Sequence, residues 1–593
     1  MKEYNRRRKR AEDSDANRIP MTRRELLLSA AATPLMAADT AVPQIDAAKI
    51  QPADFADPDL DMPYALAHFA RVANSVVLDG PDRGFIALSV WRGENNTHPY
   101  NARIMESILT LAWFYTAPQK WNPYRGHPSV RARLELAFDY WCRIQSSDGR
   151  FSEYGPQQWN LAATSFSVKF ISEALRLLKT GPPISANIHE RAISACRKAL
   201  RVVLFDPELY RYGREYSNQY TNIFAGGAAF LDLYPDEALA ARLRERLQAS
   251  GQDLQSPAGY LYEKDGPDLG YTLDTHHENL RMAYNYWRGT PLGDILVEQE
   301  RRFGEWLSLN ALPEPGQHFL VLNRAIESRQ KHSTFPFVDT PLADRCTIAR
   351  AFATPPERRA AVIRAAREKL QKEWPHVEPL EVGNRVALSP YRFLLRSDYE
   401  WRPTSEQIEE ARKLVRPLAG QSFVEQRKDT RLPLVFTYVR RPNYYAAFFA
   451  VPKPRSTQQR PGLTFVWTPR TGVLLQSQTD GAETAWGTST GEKQPLEATG
   501  LKAEYLDGGA AVRYPLAGGG QKNLVFEPDR IRVTVERPGE IVERLPVFDA
   551  ACVTSTANTA AHRQATSPVP GKKFWVVELK AAGRLEYEIR PVG

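Results

Sequence analysis

The stretch "AGYLYEKDGPDLGYT", residues 258–272, decides how the first half of this chain is read. It holds three acids (Glu263, Asp265 and Asp268), a Gly-Pro turn and then Gly270-Tyr271, and it runs into "LDTHHENLRMAYNYW". The segments on either side carry apolar residues at three- and four-residue spacing, so the stretch is a connector between helices. It also has echoes upstream, in "DGRFSEYGPQQW" (148–159) and "PELYRYGREYSNQY" (207–220). Phe151, Tyr210 and Tyr260 mark equivalent points, each separated from the next by one helical hairpin and its connector. Such self-similarity predicts helix pairs that bury one another's apolar faces, and an (α/α) toroid with its aromatic connectors gathered at one end fits it. Functional residues are then expected on those connectors and the helix starts beside them.

Working outward, "YALAHFARVANSVV", "ARIMESILTLAWFYTA", "VRARLELAFDYWCRIQ" and "LAATSFSVKFISEALRLL" extend the helical pattern back to about residue 60. "DILVEQERRFGEWLSLN" carries it forward to about residue 310. From about residue 384 the period changes. "RVALSPYRFLLRS", "LPLVFTYVRRPNYYAAFFAV", "GLTFVWTPRTGVLLQS", "RIRVTVERP", "KFWVVELKAA" and "RLEYEIRPV" are β-branched or aromatic and often alternate, which predicts antiparallel strands. The expected architecture is therefore multidomain α+β, with an N-terminal (α/α) toroid of helical hairpins followed by a C-terminal antiparallel β-sandwich. Its expected divisions are a leader at 1–41, the toroid at 42–330, a connecting segment at 331–383 and the sandwich at 384–593.

The bulk properties agree with an ordinary globular chain of more than one domain. The 593 residues exceed what one core covers, and 42% hydrophobic with 25% charged residues leaves no sign of disorder. Part of the net charge of +9 sits at the N-terminus in "NRRRKR" and "TRR", and the remainder is only mildly basic and does not demand a nucleic-acid partner. Arg23-Arg24 followed by a short apolar run from Leu26 to Ala38 resembles a twin-arginine export signal, with Met21 as a candidate initiator. A periplasmic or secreted protein is expected, and no stretch predicts stable membrane insertion. Cys142, Cys196, Cys346 and Cys552 are far apart and form no CxxC pair, so no cysteine metal site is expected.

Three places carry candidate chemistry. The first is Tyr271 with His276 and His277, which lie about 100° apart if a helix begins near Asp274 or Thr275. One histidine at most then shares a cavity with Tyr271, and the plain alternative is that both bridge loop and helix. The second is "YGREYSNQYTN", where Asn218 precedes a helix and could simply cap it, beside Arg214 and Tyr216. The third is "LNRAIESRQKHSTF", which groups Asn323, Arg324, Arg329, Lys331 and His332 at the hand-over to the β region. A solvated charged segment is the ordinary reading of that run, but clefts between domains favour ligands.

Together the aromatic connectors, Asn218, the "DGPDLGY" loop ending at Tyr271, the nearby histidines and the β-rich C-terminal region resemble the heparinase II/III-like polysaccharide lyases and the related alginate lyases. The resemblance covers residue 60 or so to the end. It implies β-elimination on a uronic-acid-containing polysaccharide, with no cofactor or metal and an acidic polysaccharide as partner. It assigns Asn218 to neutralise the uronate carboxylate, and Tyr271 to act as acid and, depending on substrate stereochemistry, as base. His277, His276 or His332 would assist, with His277 slightly preferred to His276; two adjacent histidines so soon after the tyrosine depart from the family pattern. Arg214, Arg324, Arg329, Tyr216 and Trp159 are the expected substrate-binding residues. A glycoside hydrolase using paired carboxylates from Glu153, Glu215, Glu263, Asp265 and Asp268 is the rival enzyme. A carbohydrate-binding protein without catalysis is the third reading.

Overall fold

In the computed structural model, residues 40–591 are described, apart from 91–92, 94–95, 330–331, 382–384, 395, 397–399, 480 and 491–493. The expected export signal, with Arg23, Arg24 and the run to Ala38, and Lys331 lie outside the described residues. No helix among the described residues is long and apolar enough to cross a membrane. The four cysteines are free thiols.

The N-terminal part is helical. Its principal helices are α1 (Met62–Asn74), α2 (Ile108–Thr116), α3 (Pro128–Arg143), α4 (Leu161–Thr180), α5 (Ala186–Phe205), α6 (Pro207–Gly213), α7 (Ser217–Leu233) and α8 (Glu237–Asp253). After these come α9 (His277–Trp287) and α10 (Pro291–Asn310). Side-chain caps explain several starts: Asn160, Asp206, Asp236 and Thr290 accept from backbone amides in the first turns of α4, α6, α8 and α10. Helix α2 is buried on every side and α4 along most of its length, so these two lie inside the helical body. Helix α7 packs on α4. Gly226 makes that approach possible, since a Cβ there would stand 2.6 Å from the Lys169 amide nitrogen on α4.

Two expectations about local structure are corrected. "PELYRYG" is helix α6 rather than an open connector, because Asp206 caps it and Pro207 suits the first turn. "RVALSPYRFLLRS" is a pair of helical turns at Arg385–Leu388 and Tyr391–Leu394, not a strand. Its apolar residues pack backwards onto the helical body, with Phe393 against Trp113 at 5.1 Å between ring centroids. A further helix at Ser405–Arg412 precedes the β region, whose main sheet begins at Phe423.

Between the two parts sits a small antiparallel sheet of β1 (Ala311–Pro313), β2 (Phe319–Leu322) and β3 (Thr334–Pro336). The principal strands of the main sheet are β4 (Phe423–Asp429), β5 (Leu434–Arg440), β6 (Tyr445–Ala450), β7 (Gly462–Thr468) and β8 (Gly472–Gln476), then β9 (Glu504–Leu506), β10 (Ala511–Pro515), β11 (Gln521–Phe526), β12 (Ile531–Val547) and β13 (Phe574–Ile589). Its path runs β9-β10-β11-β12-β8-β7-β6-β5-β4, all antiparallel, with β13 also paired to β12. "KFWVVELKAA" and "RLEYEIRPV" are one strand rather than two. It kinks at Gly583, opposite the irregularity between Glu536 and Glu540 on β12, and continues.

Strands β6, β7 and β8 are buried on both faces, which is why they read as near-continuous apolar runs. Alternate residues serve two cores. Tyr445, Ala447 and Phe449 face a junction core shared with Trp306 and Tyr260, while Ala446, Phe448 and Ala450 face the core of the β region. Tyr260 donates to Asp429 at 2.7 Å, and Asn310 donates to the Tyr438 hydroxyl at 2.8 Å. The helical part is therefore docked through β4–β7, and the loop at 263–271 lies beside this junction.

Candidate active site

The loop at 263–271 is held from both sides. Gln459 of the β region donates to the Asp265 carbonyl at 2.8 Å, and the Ser328 amide donates to the Pro267 carbonyl at 2.9 Å. Asp268 then caps the next helical run, accepting from the Tyr271 amide at 3.0 Å. The helix thus starts at Leu269, not at Asp274 or Thr275, and it passes through a π-helical turn at Thr272–His276 before α9. Such bulges are frequent at functional sites. The earlier start puts Tyr271 inside the first turn, near the positive end of the helix.

Asn218 is not a cap. It is the second residue of α7, whose N-cap Tyr216 makes no side-chain capping bond, and its side-chain amide donates to the Tyr271 hydroxyl at 3.0 Å. Its backbone carbonyl accepts from Asn222 at 2.7 Å and from Asn279 at 3.3 Å. Asn279 in turn accepts from the buried Lys169 ammonium at 3.0 Å. Burial holds Lys169 below its ordinary pKa, against the pull of Glu278. The Asn218 side-chain oxygen is buried without a hydrogen-bond partner, and one carboxylate oxygen of Glu263 meets His276 at 3.6 Å without a hydrogen bond. Unsatisfied buried polar atoms at one point of a structure call for a ligand or an explanation.

Arg329 completes the cluster. Its guanidinium lies 4.7 Å from the centre of the Tyr271 ring and donates to Glu263 at 2.8 Å. Burial works against the Arg329 charge, but Glu263 and Tyr271 outweigh it and raise its pKa. Burial, followed by the negative charge of Glu263, raises the Tyr271 pKa above its ordinary value of about 10, while Arg329 and Arg103 oppose the rise. In the free protein Tyr271 is therefore a phenol at neutral pH.

The two histidines diverge, as their angular separation predicts. His276 is sealed inside, hydrogen-bonded to the Ser217 hydroxyl at 3.0 Å with Glu263 at 3.6 Å, and burial lowers its pKa despite that carboxylate. His277, the slightly preferred of the pair, turns away to bond Glu300 at 2.8 Å. The first reaches the Tyr271 cluster through Glu263 and through Thr221, which donates to the Asn218 carbonyl at 3.3 Å; the second turns away from it. His332 stands beside Gly270 and 3.8 Å from Asp274.

The expected binding residues separate in the same way. Arg329 is in the cluster, whereas Arg324 is buried and spent on Ser333, Gln478 and Thr479, where it ties the small sheet's neighbourhood to the β region. Arg214 lies 3.3 Å from Asp253 and is half exposed. Tyr216 stacks on Tyr212 with centroids 4.6 Å apart, just ahead of Asn218. Trp159 and Tyr154 are exposed aromatic surfaces on a connector, and Tyr212 is exposed on helix α6. By contrast Phe151 and Tyr260, which mark the repeat, are core residues packed on Trp141 and Trp306. Arg103 and Lys169 are not legible in the sequence as site residues. Arg103 bonds Glu106 three residues on, a spacing too common on helices to single it out.

The acids of the hydrolase reading are mostly committed elsewhere. Glu263 is fully buried on Arg329, Asp268 accepts from two backbone amides, and Glu153 is buried 4.0 Å from Arg103.

No family model matches the chain, and no curated protein matches it. Among solved structures it is similar to the Streptomyces coelicolor A3 chondroitin AC lyase in complex with chondroitin sulphate, with a TM-score of 0.50 at 11% identity, covering 94% of this chain and 82% of that one. A heparinase III gives a TM-score of 0.49 at 9% identity over 94% of this chain and 87% of that one. The heparan sulfate lyase HepC from Pedobacter heparinus gives 0.44 at 10% identity over 86% and 79%. At such identity a likeness speaks of backbone arrangement and not of residue roles. A helical N-terminal part followed by an antiparallel, sheet-rich C-terminal part is the arrangement this chain shares with that chondroitin AC lyase along nearly its whole length.

Proposed function

We propose that this chain is an exported polysaccharide lyase that cleaves a uronic-acid-containing polysaccharide by β-elimination and leaves an unsaturated uronate end. The observation that carries the reading is the Asn218 amide on the Tyr271 hydroxyl at 3.0 Å, with the Arg329 guanidinium over the same ring. In this reading the helices close as an (α/α) toroid, the strands stack as a β-sandwich, and the divisions near residues 42, 330 and 384 separate leader, toroid, connector and sandwich. Export by the twin-arginine-like leader to the periplasm or beyond belongs to the same proposal.

The chemistry follows from the charges. Removing the proton α to the uronate carboxylate builds a dianion-like state, which needs donors aimed at the carboxylate. Asn218 has a second amide hydrogen for that purpose, and the positive ends of α7 and of the helical run from Leu269 favour an anion there. Tyr271, as phenolate, takes the proton from the carbon. As phenol it then gives it to the glycosidic oxygen at the β carbon, whose bond breaks as the double bond forms. The positions of the histidines favour this two-step role, since His276 is sealed and His277 faces Glu300. Arg329 supports the phenolate electrostatically and stands ready for a substrate acid group. Glu263 and His276 act by positioning Arg329. The exposed rings of Trp159, Tyr154 and Tyr212, with Tyr216, offer stacking surfaces for sugars.

The test is a panel of uronic-acid polysaccharides incubated with the purified protein, followed by ultraviolet absorbance of the conjugated product, with Tyr271→Phe alongside. Absorbance that depends on Tyr271 is expected with one polymer class. New reducing ends without absorbance would instead establish the paired-carboxylate hydrolase. Retention on an immobilised polymer with no new ends of either kind would establish a binding protein.

A further inference from the structure

Beside the Tyr271 cluster lies a second group of side chains that the elimination chemistry does not use. Asp268, Glu327 and His332 each present one potential ligand atom, and these atoms all lie within 4.8 Å of one another. They come from two chain segments. Asp268 begins the helical run that carries Tyr271, while Glu327 and His332 flank Arg329. We propose that Asp268, Glu327 and His332 form a divalent transition-metal site, best suited to zinc(II), which fastens the segment bearing Arg329 to the helix start bearing Tyr271. This inference stands apart from the lyase reading and is tested without reference to activity.

Three observations carry it. Glu327 is fully buried, and although one carboxylate oxygen accepts from the Gly270 amide at 3.2 Å, the other has no partner. His332 Nδ1 is likewise buried without a hydrogen-bond partner. The third is a close approach: a Cβ on Gly270 would stand 2.1 Å from His332 Nδ1, so glycine lets the imidazole lie against the backbone whose amide Glu327 accepts from. Two buried carboxylates side by side carry a charge that needs compensation. Burial and the neighbouring Asp268 push the Glu327 pKa well above the carboxylate range. Either a proton or a cation satisfies that pair, and the unpartnered imidazole nitrogen favours the cation.

The donor set selects the ion. Two carboxylates and a neutral imidazole match the mixed nitrogen and oxygen ligands of zinc, with bonds of about 2.0–2.2 Å and a fourth position for water. Calcium wants six to eight oxygens and magnesium keeps most of its water, so three donors including a nitrogen serve them poorly. Ligands sharing a tetrahedral ion at those distances stand about 3.4 Å apart, so the group closes by roughly an ångström on binding. Side-chain rotation of the partly exposed His332 accommodates that closure.

The full chain, dialysed against chelator and then titrated calorimetrically with zinc chloride, is expected to bind one equivalent and to show a raised unfolding midpoint. Glu327→Gln and His332→Ala should each weaken that binding at least tenfold and abolish the zinc-dependent shift. No stoichiometric binding to the parent protein, or equal binding by both variants, would overturn the site. A Glu327→Gln chain that is as stable as the parent, alongside a parent that zinc leaves unchanged, would assign the pair a shared proton instead. Should Glu327→Gln fail to fold, His332→Ala decides alone, because that side chain is partly exposed.

Discussion

Two buried charge clusters in this molecule contain the same kinds of group and differ in what is left over. In the β region, Lys522 donates to Thr488 at 3.1 Å and to Glu497 at 3.0 Å, and it also bonds Glu543. Tyr514 and Tyr587 donate to those same carboxylates, at 3.1 and 2.8 Å. The ammonium also faces the Trp486 ring. Every named member is sealed from solvent, and burial of the excess negative charge raises the Glu543 pKa. At the junction, Tyr271, Arg329, Glu263, His276 and Asn218 also join a tyrosine, a cation and a carboxylate. There, however, Arg329 is exposed, Tyr271 is partly so, and Asn218 keeps an oxygen without a hydrogen-bond partner. A finished network holds a fold together, whereas an unfinished one that reaches solvent has capacity for a substrate.

That contrast is broken or sharpened by substitutions on each side. Tyr271→Phe should reduce turnover by between about 10²- and 10⁴-fold, the usual reach of acid–base catalysis, with the unfolding midpoint nearly unchanged. An equal loss of stability and rate would place Tyr271 among structural residues. Lys522→Met should do the reverse, costing about 3–5 kcal/mol in denaturant unfolding because two carboxylates are left buried without their cation, while the folded fraction keeps its activity. Asn218→Ala should lower kcat by about 10²–10³-fold as one donor to the developing charge is lost. Its stability cost should stay near that of a single hydrogen bond, about 1 kcal/mol.

The smallest expected effect concerns pH. The positive charge of Arg329 favours the phenolate of Tyr271, so Arg329→Gln raises a pKa that burial already holds above the ordinary value. If Tyr271 is the base, the rate below that pKa follows the phenolate fraction and rises with pH. The variant's profile should therefore move to higher pH, and turnover at a fixed pH on its rising limb should fall by about tenfold. A profile that falls with rising pH, or one that does not move, would confine Tyr271 to the acid role.

Much of this was legible because the sequence signals were local. The near-continuous apolar run in "NYYAAFFAV" marks a strand, and the "DGPDLGY" loop marks a connector ahead of a helix, although that helix starts at Leu269, a turn earlier than expected. Asn218 and Tyr271 each sit at a helix start next to a turn. The remainder depends on contacts between distant segments. "VALSPYRFLL" is apolar enough for either period, and its packing on Trp113 decides for helix. Which histidine faces Tyr271 depends on a π-turn that shifts the register of everything after Thr272, and no residue type forecasts such a turn. Arg324 and Arg329 look alike in the sequence, yet Gln478 and Thr479 of the β region claim the first and Glu263 the second. The Lys169–Asn279 support beneath Asn218 joins residues far apart in the chain, with nothing local to signal it.

The most direct test of the central claim is to cleave the responsive polymer in heavy-oxygen water and weigh the products. Elimination predicts that neither new end takes up heavy oxygen and that the fragment bearing the unsaturated uronate is lighter by one water than hydrolysis would give, formed by the parent protein and not by Tyr271→Phe. One heavy oxygen per break, carried by the new reducing end and accompanied by no unsaturated fragment, produced equally by the parent and by Tyr271→Phe, would contradict it.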